Sequence, residues 1–264
     1  MSYADVNGLA LYFEEHGDGD VPLILLHGGL GSGETFGAIV PSLAEHRRVV
    51  TVDLQGHGRT ADIGRPFSTA SMADDIAGLA AHLGVERVDV LGYSFGGEVA
   101  LRTAIQHPDI MRRLVVISTP FKRDGSHPEV LMRMDEFGPH LAEPFKQAPF
   151  YESYTRVAPR PEDWPVMIEK TGERLKTDYD WSAEVAKLEI PTLLVFADAD
   201  SIRPDHIVEF YGLLGGGHRD AGVDGSARPA SRLAVIPGTT HYDVIFSPVL
   251  LAVVTPFLEA SALP

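Results

Sequence analysis

Along most of this chain, short apolar runs alternate with stretches whose apolar residues recur at helical spacing. The runs at 21–26, 48–54, 88–93, 114–118, 192–197 and 233–236 are brief and rich in leucine or β-branched residues, as strands buried on both faces are. Residues 10–15 alternate instead, which reads as an edge strand before the first buried one. Amphipathic helical patterns occupy 35–44, 71–83, 95–107, 204–214 and 248–260, and Ser247-Pro248 offers the last an N-cap followed by proline. Strands and helices in alternation predict a mostly parallel sheet with helices on both faces.

The chain has 264 residues, enough for one large α/β domain or for such a domain carrying an insertion. No segment reaches the roughly 18 uninterrupted apolar residues of a membrane span. The opening Met1-Ser2-Tyr3-Ala4-Asp5 lacks the basic-then-apolar order of a secretory signal, so a cytoplasmic location is expected. The sequence contains no cysteine, which excludes disulfides, thiolate metal sites and cysteine nucleophiles together. With 22 basic and 37 acidic side chains the formal charge is −15, and such a surface repels phosphate backbones and anionic membranes. Neither nucleic acid nor a membrane is an expected partner; a small neutral molecule is.

One segment departs from the alternation. Residues 121–189 show no convincing strand, yet hold seven of the 19 prolines and nine of the 22 aromatic residues, including Trp164 and Trp181. A helical excursion with its own small core would account for this, and so would a cap that lines an apolar pocket. The expected division is a core of residues 1–120 and 190–264 with a helical cap inserted at 121–189. Residues 215–231, opening with three glycines, read as a surface loop without chemistry.

Within this frame, Gly92-Tyr93-Ser94-Phe95-Gly96 joins an apolar run to a helical pattern, so a strand turns abruptly into a helix around a serine. Such a turn drives its central residue towards positive φ and crowds the positions two places either side, where glycine removes the clash. The serine oxygen is thereby lifted clear at a helix N-terminus, whose amides favour developing negative charge. An acylating nucleophile needs that placement. It also needs a base to take its proton and a carboxylate to orient the base. A nearby glycine-rich stretch, Gly28 to Thr35, nearly spells a phosphate-binding loop, but Glu34 stands where lysine must be and would repel phosphate.

With these features the chain resembles the α/β-hydrolase family, in its serine-nucleophile branch, over essentially its whole length. The resemblance implies an α/β-hydrolase fold with a mostly parallel eight-stranded sheet, and neither a metal nor an organic cofactor. In that family the chain order is serine, acid, histidine, with the acid after a later strand and the histidine after the last. The run 192–197 ends in Asp198-Ala199-Asp200, and the resemblance favours Asp200 over Asp198 as the acid. Of eleven histidines, His241 follows the final strand, which makes it the implied base. The implied oxyanion donors are the backbone N–H groups of Phe95 and of Gly29, with Leu30 second to Gly29, in His27-Gly28-Gly29-Leu30. His27 is expected to brace that loop. Asp53-Leu54-Gln55-Gly56-His57-Gly58-Arg59-Thr60 resembles a structural segment of the family, with Gln55 and Thr60 in place of arginine and serine. Leu30, Phe137, Trp164 and Tyr242 are the expected substrate contacts.

Serine at the elbow argues against the aspartate-nucleophile branch, whose alkyl-enzyme ester needs a carboxylate there. The expected reaction is hydrolysis of carboxylic esters of small or medium, largely apolar substrates through an acyl-enzyme. Lactones, thioesters, carbon–carbon bonds and peracid formation use similar machinery. A homologue that only binds its ligand is the competing expectation of another class.

Overall fold

The computed structural model describes residues 2–260. Asn7 and Gly8 both adopt positive φ, 49° and 81°, and so close a tight hairpin between β1 (Ser2–Val6) and β2 (Leu9–His16). There follow β3 (Leu23–Leu26), α1 (Val40–Ala44), β4 (Val49–Val52), α2 (Thr69–His82), β5 (Val88–Tyr93), α3 (Phe95–Gln106) and β6 (Met111–Ile117). Next are α4 (Pro128–Glu136), α5 (Pro149–Val157), α6 (Trp164–Leu175) and α7 (Ser182–Val185), then β7 (Thr192–Ala199), α8 (Pro204–Leu213), β8 (Arg232–Thr240) and α9 (Val249–Glu259). Among the described residues the strands form one eight-stranded sheet in the order β1-β2-β4-β3-β5-β6-β7-β8. The pairings of β2 with β1 and β4 are antiparallel and the others parallel. This is the α/β-hydrolase fold.

The expectation of an edge strand at 10–15 is corrected: β2 is flanked on both sides, and β1 forms the edge. β1 carries only two buried residues, Ala4 and Val6, so it shows no apolar run, and the Asn-Gly turn was its one local signal. The inner strands explain themselves more simply. Leu23 and Leu25 of β3 pack into the core beneath α1 and α9, while Ile24 and Leu26 face the opposite core beneath α2 and α3. Two-sided burial therefore requires a continuous apolar run rather than alternation.

Residues 121–189 add no strand to the sheet. Their prolines begin helical turns: Pro128, Pro139, Pro144, Pro149, Pro161 and Pro165 each occupy a first or second helical position, where a missing N–H costs nothing. Trp164 anchors this segment, only 1% exposed, packed by the rings of Phe150, Tyr151 and Tyr154 and donating its indole N–H to Ala142 O at 2.8 Å. Among the described residues five ion pairs join the segment to the rest of the chain: Arg156 with Glu34, Lys170 with Asp62, Arg174 with Glu98, Lys122 with Glu209 and Glu184 with Arg102. In all but the last the cation belongs to the helical segment.

Candidate active site

Ser94 lies between the end of β5 and the start of α3 with φ 53° and ψ −119°, a strained region for a residue with a side chain. Steric contacts enforce it. A Cβ on Gly92 would lie 2.1 Å from Gly96 O, and one on Gly96 would lie 2.1 Å from Leu26 O. Only glycine lets β3, β5 and α3 approach this closely. The Ser94 N–H donates to Ile117 O at 2.9 Å, and the Thr119 hydroxyl donates to Ser94 O at 2.9 Å, so β6 and its following loop hold the turn. Phe95 opens α3, and its N–H, in the first helical turn, has no intrahelical acceptor.

Asp200 and His241 reach this serine from the ends of β7 and β8. Ser94 Oγ is 3.0 Å from His241 Nε2, and His241 Nδ1 is 3.1 Å from Asp200 Oδ1. The Tyr93 hydroxyl donates to His241 O at 2.7 Å, fixing the histidine's backbone against the elbow. Asp200 Oδ2 accepts the Ser118 hydroxyl at 2.5 Å and the Ala197 N–H at 3.0 Å. Burial alone would raise the Asp200 carboxyl, but the His241 contact and these donors outweigh it and hold it below the ordinary carboxylate value. Asp198 points elsewhere: it is exposed and accepts the Thr239 N–H at 3.1 Å.

Sequence reasoning overlooked Ser118. It directly follows β6 with φ 49°, and no local pattern ties it to a carboxylate 82 residues away.

The loop after β3 packs against the elbow, since a Cβ on Gly28 would touch the Tyr93 ring at 3.0 Å and Ser94 Cβ at 3.5 Å. His27 sits beneath this loop with no exposed surface, donating from Nδ1 to Gly28 O at 2.7 Å and accepting the Leu54 N–H at Nε2 at 3.0 Å. A second proton would face the Leu54 donor in a dry site, and burial lowers the His27 pKa to about 4. Leu30 takes φ 59°, and the Gly31 N–H closes a turn on Gly28 O at 3.2 Å. The segment after β4 is a second brace, in which Asp53 accepts the Gly33 N–H at 2.6 Å and the Arg59 N–H at 2.7 Å.

A cavity of about 710 Å³ lies over Ser94, between the elbow and the helices of residues 121–189. Gly29, Leu30, Phe95, Phe137, His241 and Tyr242 contribute to its wall. Trp164 does not, contrary to expectation: its helical phase turns it into the core between α5 and α6, and its ring stacks behind Phe150, which does reach the cavity. Among the described residues, no group of three or more histidine, aspartate or glutamate side chains is arranged to hold a metal. No helix among them is long and apolar enough to cross a membrane.

The family model for the alpha/beta hydrolase fold matches residues 21–151. Over 114 residues the chain is 35% identical to a soluble epoxide hydrolase of Corynebacterium sp. (strain C12), a match covering 43% of this chain and 40% of that protein. Over 128 residues it is 41% identical to the pimeloyl-[acyl-carrier protein] methyl ester esterase of Yersinia pseudotuberculosis serotype O:1b (strain IP 31758), covering 46% and 47%. The chain thus spans less than half the length of these curated relatives. An alpha/beta hydrolase enzyme from a Medee basin deep-sea metagenome library has the same fold, with a TM-score of 0.76 and 18% identity over 100% of this chain and 99% of its own. The chain has the α/β-hydrolase fold, and the proteins it is similar to include an esterase and other hydrolases. The matched residues 21–151 include Ser94 and the loop after β3 but neither Asp200 nor His241.

Proposed function

We propose that this protein is a serine hydrolase that cleaves carboxylic esters of small or medium, largely apolar substrates, with Ser94 as nucleophile, His241 as base and Asp200 as the orienting acid. The observation that carries this reading is the continuous contact from Ser94 Oγ through the His241 imidazole to Asp200, at 3.0 and 3.1 Å, at the wall of a 710 Å³ cavity. Asp200 accepts the Nδ1 proton of His241, which leaves Nε2 free to take the serine proton. As that proton leaves, Oγ bonds to the ester carbonyl carbon and the carbonyl oxygen becomes an oxyanion. The N–H groups of Phe95 and Gly29 are the assigned donors to it, each worth about 3 kcal/mol of barrier lowering. Collapse expels the alkoxide, which takes the proton back from His241. A water deprotonated by the same imidazole then attacks the acyl-enzyme, releasing the acid and restoring Ser94.

In this reading residues 121–189 are a cap, with Leu30, Phe137 and Tyr242 as substrate contacts and residues 1–120 with 190–264 as the core. A fluorophosphonate probe tests the assignment: Ser94 is modified in the wild-type protein, and Ser94→Ala loses both labelling and ester turnover, the latter by about 10³-fold or more. Absence of both labelling and ester turnover in the wild type would leave a ligand-binding homologue as the better reading.

A further inference from the structure

The cavity over Ser94 is not uniformly apolar. Glu98, one helical turn beyond the serine on α3, and Arg174, on α6, both line it and pair with each other, Arg174 Nη1 donating to Glu98 Oε2 at 2.5 Å. Their side chains are only 11% and 12% exposed. The guanidinium carbon lies 4.3 Å from the centre of the Phe95 ring. A guanidinium has five N–H donors, and among the described residues only Nη1 has a protein acceptor. One turn earlier on the same helix, Thr171 also lines the cavity, and its buried hydroxyl has no partner. A buried hydroxyl without a partner is uncommon and costly, and beside the guanidinium N–H groups that have no protein acceptor it marks a corner short of oxygen atoms.

We propose that the corner formed by Arg174, Thr171 and Glu98 is a specificity subsite that receives an uncharged oxygen acceptor, such as a ketone or amide carbonyl, carried by the acyl chain of the substrate. The inference rests on the ester-hydrolase reading above and adds the chemistry of the group recognised. Charge balance selects a neutral acceptor. Glu98 already neutralises Arg174, and burial pushes the Glu98 carboxyl above its ordinary value even with Arg174 and Tyr179 opposing. A second carboxylate would repel the first where little water screens it. A carbonyl instead gains a charge-assisted hydrogen bond from the idle guanidinium N–H groups without adding charge.

The experiment compares kcat/KM for p-nitrophenyl heptanoate, its oxo derivatives (keto isomers of one another, with the carbonyl at successive carbons), and the corresponding ω-carboxylate. With the wild-type protein, at least one keto isomer exceeds the parent ester by about ten-fold or more, and the ω-carboxylate does not. In Glu98→Leu/Arg174→Met, which removes the pair without stranding either charge, that ratio falls to near one. Thr171→Val, close in volume, lowers the same ratio about three-fold or more and serves if the double variant does not fold. An unchanged ratio in folded variants, a keto isomer no better than the parent, or a preference for the ω-carboxylate each overturns the subsite while leaving the hydrolase reading intact. No turnover of any ester, together with no fluorophosphonate labelling, overturns both.

Discussion

Asparagine at position 200 preserves the volume of the carboxylate but removes its charge and makes one of its two end atoms a donor. The Ala197 N–H points at Oδ2 from 3.0 Å and belongs to a strand backbone that cannot turn away. The amide of Asp200→Asn must therefore place its carbonyl oxygen there and its NH2 where Oδ1 stood, 3.1 Å from His241 Nδ1. Two donors cannot face each other, so the imidazole shifts its proton to Nε2, the atom 3.0 Å from Ser94 Oγ. A protonated Nε2 cannot accept the serine proton. The wrong tautomer and the lost carboxylate charge together lower kcat by about 10⁴-fold, or about 5 kcal/mol of barrier. Asp198→Asn is the control, since Asp198 is exposed and its acceptor role towards the Thr239 N–H survives in an amide; its kcat stays within about two-fold. Steady-state hydrolysis of a p-nitrophenyl ester measures both, with thermal melting to show that each variant is folded. Asp200→Asn within ten-fold of wild type, with Asp198→Asn collapsed, would refute the assignment of the acid.

Gly96→Ala is expected to destabilise the fold by about 3 kcal/mol or more in urea titrations, because the added Cβ would meet Leu26 O at 2.1 Å. Gly29→Ala meets nothing within 4 Å, so its stability stays within about 0.5 kcal/mol of wild type. Its backbone N–H is retained, and ester turnover falls less than ten-fold. Burial depresses His27 and His57 to about 4 and about 3, so both are neutral in the fold yet protonate near pH 6.5 in the unfolded chain. Their contribution is complete above pH 6.5 and declines as pH falls towards 4; at pH 5 each has lost about 2 kcal/mol. Urea midpoints between pH 8 and 5 should fall accordingly, and a shallower slope in His57→Gln would identify the source. Trp164→Phe, which strands Ala142 O and opens a small void, should cost about 2 kcal/mol of stability with KM little changed, whereas Phe137→Ala, at the cavity wall, should change KM.

Much of the fold was legible because its causes are local. Parallel strands buried on both faces read as near-continuous apolar runs: β3 is one throughout, and β4, β5 and β6 depart from it only at Thr51, Asp89 and Arg112-Arg113. The helical segment declared itself by prolines at first turns and by concentrated aromatics. The miss at β1 has a plain cause: a half-exposed edge strand of five residues carries little hydrophobic signal, and its Asn7-Gly8 turn lay outside any apolar run. Helix ends shifted for similar reasons. The pattern at 35–44 divides into a single 3-10 turn, Gly33–Phe36, and α1, while α9 starts at Val249 after Pro248, with the Ser247 hydroxyl accepting the Val249 N–H at 3.3 Å.

For the site, the division follows distance along the chain. The elbow's conformation is largely written in five adjacent residues, because a Cβ on Gly92 would strike Gly96 O within the turn itself, whereas Gly96 is kept bare by Leu26 O of the neighbouring β3. The order of serine, carboxylate and histidine, and their places at strand ends, could likewise be read in one dimension. Which carboxylate meets the imidazole could not. Asp198 and Asp200 are two residues apart with nearly identical neighbours, and the bulge in the β7–β8 pairing between Ala197 and Ala199, with the Ala197 N–H and the Ser118 hydroxyl, turns only Asp200 towards His241. The same holds for Trp164, whose phase on α6 sends it into the core, and for Arg174, whose partner lies 76 residues away on the serine's own helix. Local sterics and periodicity act through neighbouring residues, so the sequence by itself determines them. Side-chain meetings across the sheet and beneath the helices depend on register and packing, which exist only once the whole chain has folded.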